Sequence, residues 1–221
     1  GFLLGGVALG PFGLGAVAAF IPALSSLAIT ETDRIGGLAE LGVVQWWASR
    51  HRDMIRLDAD QHLSVLFRLD SPARYAPVAA RLAQLTDQLY AAGLPHEVLL
   101  AAYHEQYGRY GHPPAYQAAE RVFATDTIAA ITQLRLAEQA GVSAQALAAA
   151  SMTQLAADFA ADPPTGYQAL LTCLDGTTEP TDRALCDLAR DLANPHRGRL
   201  GALTGGQTVV AAWQARATAL R

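Results

Sequence analysis

Apolar positions along the chain fall into three textures, and each predicts a different kind of structure. Residues 1–30 are apolar or small almost throughout and carry no charge, with Glu31 the first charged residue. Leu41 to Ala48 crowds β-branched and aromatic side chains together at Val43, Val44, Trp46 and Trp47, and His62 to Leu69 does the same around Val65 and Phe67. Both stretches predict strands. The Arg-, His- and Asp-rich segment Ser49 to Gln61 between them predicts a connection holding a short strand at Met54 to Leu57. Beyond Ser71 the period becomes helical. Ser71-Pro72 opens a helix in which Val78, Leu82, Leu85 and Leu89 share one face, and Gly93 closes it. Leu94 to Tyr107 suits either a helix or a strand feeding an ordered loop.

Pro113-Pro114 marks the next helix start, and Tyr116, Ala119, Val122, Phe123 and Ile128 keep its period. Asp126-Thr127 predicts an interruption or a recapping before Ile128 to Gln139, which Gly141 ends. Ser143 caps an alanine-rich stretch to Ala161. Gly166 to Leu174, Thr181 to Asn194 and Gly205 to Arg221 complete the set. No internal repeat or linker is visible, so one domain over residues 1–221 is expected. Its class is α+β, mostly helical with a small, mostly antiparallel sheet.

Composition narrows the function. With 221 residues, 51% hydrophobic and 16% charged, the chain can bury a core. A net charge of −4 gives no electrostatic footprint for nucleic acid. All 16 basic residues are arginine, which removes Schiff-base chemistry and a P-loop lysine together. Cys173 and Cys186 cannot make a CxxC pair or a four-cysteine zinc site; they read as small core residues or, alternatively, one disulfide. The apolar run at the start has the length of a membrane span. Yet Gly1, Gly5, Gly6, Gly10, Pro11, Gly13, Gly15 and Pro22 interrupt it, and no early arginine supplies a signal-peptide or anchor flank. A buried irregular segment in a cytoplasmic protein is expected instead. The chain opens on Gly1 rather than methionine, which leaves room for missing N-terminal sequence.

Chemistry concentrates in Tyr103-His104-Glu105-Gln106-Tyr107-Gly108-Arg109-Tyr110-Gly111-His112. Tyr103, His104, Glu105, Tyr107, Arg109 and Tyr110 are candidate catalytic residues: histidine near neutrality, phenols as neutral proton donors, a guanidinium for an oxyanion or carbonyl. The same residues also suit an ordered turn whose tyrosines plug the core, and spacing alone leans that way. His51 and His62 suit ordinary core or surface roles. No HExxH, paired HxH or carboxylate cluster at metal spacing occurs, so no metal site is expected. Gly205-Gly206 is too weak for a phosphate loop, and no GxSxG marks a nucleophile.

Several of these stretches together resemble the C-terminal domain of lantibiotic dehydratases. Trp46-Trp47 with Arg50 and Arg52, then His62-Leu63 and Phe67, look like that family's tryptophan–arginine strand and its "HLRLRF" strand. Tyr103 to Gly111 resembles "Y-x-x-E-x-x-R-[YF]-G-G". Ala119-Glu120-Arg121-Val122-Phe123 with Asp126-Thr127 resembles "aE-x-l-F-x-x-D-S", and Gly198-Arg199-Leu200-Gly201 is similar to the end of "H-M-x-x-N-R-L-x-G". The order holds from Trp46 to about Leu203. The resemblance implies substrate contacts at Trp46, His62, Gln106, Glu120, Asp126 and Arg199. Arg50, Arg52 and Arg56, with His51, form a basic stretch suited to an acidic leader peptide.

The family has two activities, and the departures of this sequence choose between them. One branch eliminates glutamate from glutamylated Ser/Thr to give dehydroalanine; the other, the thiopeptide pyridine synthases, joins two dehydroalanines by a formal [4+2] aza-cycloaddition. Eliminating enzymes carry arginines where this chain has Ser64 and Leu66, a glutamate where it has Gln106, and a histidine where it has Asn194, with His196 displaced by two. The resemblance therefore implies a pyridine synthase. Its expected partner is an azole- and dehydroalanine-bearing precursor peptide with its leader, alongside other enzymes of the pathway, with no cofactor, nucleic acid or membrane. A split glutamate-eliminating component and a leader-binding scaffold without catalysis are the alternatives.

Overall fold

The computed structural model describes residues 40–51, 62–91, 103, 105, 107–174, 182–194, 196 and 198–221. The chain is α+β and mostly helical, with a small two-stranded antiparallel sheet. Residues 1–30, the expected short strand at 54–57, Gly93 and most of 94–106 lie outside the described residues. What is described separates into two compact units that divide between Ala124 and Thr125.

Among the described residues the first unit holds a hairpin. Strand β1 (Val43–His51) pairs with β2 (His62–Leu69) in a register that sets Trp47 opposite Leu66 and His51 opposite His62. β1 outruns its expected end at Ala48 because Ser49, Arg50 and His51 continue the ladder, which main-chain groups make whatever the side chain. An irregularity between Val43 and Gln45 shifts the pairing. Beyond it, strand alternation puts Trp47 and Ser49 on one face with Leu66 and Ser64. Arg68, opposite Gln45, shares that face. After one 3-10 turn at Pro72–Arg74, helix α1 (Tyr75–Ala91) follows, with Val78 buried. A single turn, α2 (Tyr107–Tyr110), precedes the long helix α3 (Ala115–Ala140), which starts directly after Pro113-Pro114.

The interruption expected at Asp126-Thr127 does not occur: α3 is continuous. Asp and Thr break helices by bonding their own backbone. Here the Asp126 carboxylate instead accepts from Arg216 at 2.7 Å, while Thr127 is buried. Gly141, at φ 63, ends the helix as its sequence predicts. Ser143 then accepts from the Ala146 N–H at 3.3 Å and caps α4 (Ala144–Phe159).

Helix α5 (Pro163–Leu174) starts three residues earlier than its expected opening at Gly166, because Asp162 supplies the cap through Thr165 N–H and Pro163 suits the first turn. Gly166 serves packing instead. A Cβ there would fall 1.9 Å from the Ala156 carbonyl oxygen, so α4 and α5 cross backbone to backbone. Asp182, accepting from Ala184 N–H at 2.9 Å, caps α6 (Arg183–Ala193). A short helix missed by periodicity, α7 (Arg199–Ala202), leads to α8 (Gly206–Leu220).

Leu136, Leu147, Leu192, Leu200, Val209 and Trp213 form the core of this second unit, filled out by alanines of α3, α4 and α8. Through it runs one polar thread. Arg216, 2% exposed, donates to Asp126 and to both the hydroxyl and carbonyl of Ser151 at 3.0 Å, and Gln133 Nε2 donates to the same hydroxyl at 3.0 Å. Asp126 is half exposed, so its loss and the loss of Arg216 are unequal. Asp126→Ala strands a buried cation and is expected to cost ~3–5 kcal/mol, whereas Arg216→Met leaves a carboxylate that water can reach and costs less. Gly166→Ala is expected to lower stability by ~1–3 kcal/mol through overpacking. Urea unfolding of the three variants checks the order; equal loss for Asp126→Ala and Arg216→Met contradicts it.

Candidate active site

The first unit gathers the aromatic motif around the N-terminal half of α3. From the hairpin, Trp47 meets the edge of Tyr103 at 5.7 Å between ring centroids and Phe123 of α3 at 6.4 Å. The Tyr103 hydroxyl is hydrogen-bonded to that of Tyr116, one full α-turn before Glu120 on α3. Helix α2 then lays Tyr107 edge-on to Tyr116 at 5.5 Å and Tyr110 edge-on to Phe123 at 5.2 Å. His112 stacks on Tyr107 at 5.1 Å, and the Arg109 guanidinium sits 5.3 Å over the Tyr110 ring. Gly111, at φ 82, permits the turn that returns its N–H to the Tyr107 carbonyl at 2.9 Å.

Burial sorts this cluster into a floor and a rim. Tyr116 is 0% exposed, with Tyr107 and Tyr110 packed against its ring. Tyr103 is 43% exposed, and Tyr107, Arg109, Glu105 and His112 are exposed as well. Phenol hydroxyls and a guanidinium therefore stand on an apolar aromatic base, where they can donate protons or hydrogen bonds to a bound carbonyl or leaving hydroxyl.

Beside them lies an ion pair. Glu120, 1% exposed, accepts from Arg68 Nη2, whose side chain is about one-third exposed. Burying the carboxylate is tolerable because the guanidinium neutralises it in place. Arg68 thus links the buried Glu120 carboxylate to the surface.

The other expected site residues are distributed as follows. Trp46 is buried, and strand alternation sets it on the face opposite Trp47. Arg50 and His62 hold ladder positions at the loop end of the hairpin, opposite Leu63 and His51. Arg52, Arg56, His104 and Gln106 lie outside the described residues. Asp126 and Arg199 belong to the second unit, where Arg199 makes an exposed pair with Asp191 at 2.8 Å. Asn194 caps α6, and its Oδ1 accepts from the His196 N–H at 2.9 Å. Cys186 is a free, half-buried thiol. Among the described residues no group of three or more His, Cys, Asp or Glu could hold a metal ion, and no helix is long and apolar enough to cross a membrane.

Arg68 and Tyr116 are not among the site residues that the sequence suggests. Arg68 carried a usable signal, since it continues the i, i+2 face of Ser64 and Leu66 on β2. Tyr116 reads as an ordinary core position, and only the partner of its hydroxyl distinguishes it.

The architecture fits one class of domain, and the family comparison agrees. The model of the lantibiotic biosynthesis dehydratase C-terminal family matches residues 35–221, and the chain belongs to that family. Among solved structures, the fold is similar to the tRNA-dependent lantibiotic dehydratase MibB from Microbispora sp. 107891, with a TM-score of 0.68 and 25% identity. The match covers 93% of this chain and 21% of that one, so the chain spans about a fifth of the length of the MibB enzyme. No curated protein sequence matches it.

Removing Arg68 tests the ion pair. Arg68→Ala leaves Glu120 buried and unneutralised and is expected to cost ~3 kcal/mol, while adding Glu120→Gln to that variant recovers part of the loss. Chemical denaturation of the two variants measures this; a double variant no more stable than Arg68→Ala contradicts it.

Proposed function

We propose that this domain is a thiopeptide pyridine synthase acting on a ribosomally made peptide that carries azoles and dehydroalanines. One dehydroalanine and its neighbouring amide, as the iminol tautomer, act as a 2-azadiene, and the second dehydroalanine is the dienophile. Two new bonds close the six-membered ring and the macrocycle together. Loss of water and then of the leader peptide as an amide leaves the aromatic pyridine.

One observation carries the reading: the charge state of the β2 face that looks toward α3. Elimination needs free cations to receive the departing glutamate and a base for the Cα proton. That face offers Ser64 and Leu66, and its arginine, Arg68, is already committed to Glu120. Asn194, at the position where eliminating relatives carry histidine, has no titratable proton and spends its carbonyl on a backbone N–H. The half-exposed phenols of the first unit suit the remaining demands of the cycloaddition. Tautomerisation and two eliminations need proton donors that stay neutral at pH 7, and holding two peptide ends together contributes up to ~7–11 kcal/mol of orientation.

In this reading Tyr103 or Tyr110 delivers a proton to the amide or leaving hydroxyl, Arg109 orients the peptide, and His104, Glu105 and Tyr107 complete the proton-handling groups. Trp46, His62, Gln106, Glu120, Asp126 and Arg199 support substrate, while Arg50, Arg52 and Arg56 meet an acidic leader. The domain works in the cytoplasm with the other enzymes of its pathway.

Incubating the full chain with a dehydroalanine-bearing precursor peptide tests the assignment by mass. Loss of water plus leader supports it; loss of glutamate from a glutamylated peptide replaces it with elimination; binding without mass change leaves a scaffold. Tyr103→Phe and Arg109→Ala are each expected to cut turnover while shifting Tm by only a few degrees, both side chains being exposed. Full rates in both variants remove the site assignment. Leader affinity is expected to fall as salt rises, since exposed charges are screened over ~8–10 Å at physiological ionic strength. Titration of the isolated leader at two salt concentrations decides that point.

A further inference from the structure

We propose that Tyr116 is the positioning residue of the site: its buried hydroxyl fixes the Tyr103 hydroxyl at the exposed rim and donates to it as Tyr103 gives up its proton. The proposal rests on the pyridine-synthase reading and adds a residue that neither the motif nor the family comparison singles out. Three observations converge on it. Tyr116 is the only tyrosine among those buried below 2% exposure, and its hydroxyl meets that of Tyr103, which is 43% exposed. Tyr107 contacts the same ring edge-on at 5.5 Å, and Tyr110 contacts it at 6.2 Å. All three tyrosines of the motif therefore meet one ring that solvent does not reach.

A residue needed only for volume at that place has no use for a hydroxyl, because an apolar ring fills the same space without a polar group to satisfy. The hydroxyl gains meaning from its partner. With Tyr116 donating, the O–H of Tyr103 is left free to point toward a ligand. When Tyr103 passes that proton to the leaving hydroxyl of the substrate, the C–O bond breaks and water departs. A neighbouring ring C–H proton is lost to solvent as its electron pair forms the new double bond, and Tyr103 is left as a phenolate. The Tyr116 O–H already faces that oxygen and stabilises its charge without rearrangement. A proton from solvent then restores Tyr103. The edge-on packing of Trp47 against Tyr103 restricts the ring as well, so a hydrogen bond and a ring contact both act on the hydroxyl direction.

Tyr116→Phe deletes one oxygen and keeps the ring. In the full chain, kcat on the dehydroalanine peptide is expected to fall about ten- to a hundredfold, with KM changed by less than about twofold. Tyr103→Phe combined with Tyr116→Phe is expected to lose no more than Tyr103→Phe alone, because the two hydroxyls act as a unit. A second readout needs no turnover: with tyrosine labelled at Cζ, the Tyr103 resonance is expected to move in Tyr116→Phe. An unchanged resonance overturns the proposal, as does full kcat in the variant or strictly multiplicative losses in the double variant. A wild-type chain inactive on that peptide refutes the pyridine-synthase reading instead, and the labelled resonance then decides the hydroxyl coupling by itself.

Discussion

A carboxylate with 1% exposure has to be neutralised where it stands, and the site is arranged around that necessity. Glu120 sits on α3 with Arg68 of β2 as its counter-ion, so the sheet face and the helix cannot drift apart without stranding a charge. The pair fixes the distance across which Trp47 and Phe123 meet, and that aromatic contact in turn supports Tyr103. The second unit obeys the same rule with the signs reversed. There the buried member is Arg216, and Asp126 and Ser151 come to it. Helix α3 contributes a carboxylate to both arrangements, six residues apart in sequence.

Most of the fold could be read from the chain because its signals are local. The strands announce themselves by Trp46-Trp47 and by the run from His62, and Gly141 and Ser143 mark a helix end and a helix start that the structure reproduces. Local signals mislead where a distant partner overrides a local preference. Asp126-Thr127 looked like a break until Arg216, ninety residues on, took the carboxylate. Gly166 looked like a helix start, but its function is to let α4 touch α5. Helix α7 is a single turn after Gly198 in the left-handed region, too short for any period to register.

The same division holds at the site. Motif chemistry picks out Tyr103, His104, Glu105, Tyr107, Arg109 and Tyr110, and of these Tyr103, Tyr107, Arg109 and Tyr110 come together around α3. What the motif could not convey is depth. Glu120 and Tyr116 share a helix face with ordinary core residues, and nothing in a period of 3.6 separates a core tyrosine from one whose oxygen meets a surface phenol. Arg68 is the opposite case, a residue whose alternation on β2 carried the information and whose partner supplied its meaning.

On the proposed function, the packed tyrosine base also bears on the range of peptides the site accepts. Rings wedged against Tyr116 and Phe123 have little freedom left to lose, so on the cycloaddition reading ordering on binding falls to the peptide. For a flexible chain held only at its two reacting ends, the closure cost grows with the logarithm of the length between them, about 0.6 kcal/mol for each doubling. A site of this kind discriminates weakly by loop length. On the cycloaddition reading, one such domain tolerates macrocycles of several sizes, and the spacing of dehydroalanines in the precursor, not the contour of the protein, decides which ring is made.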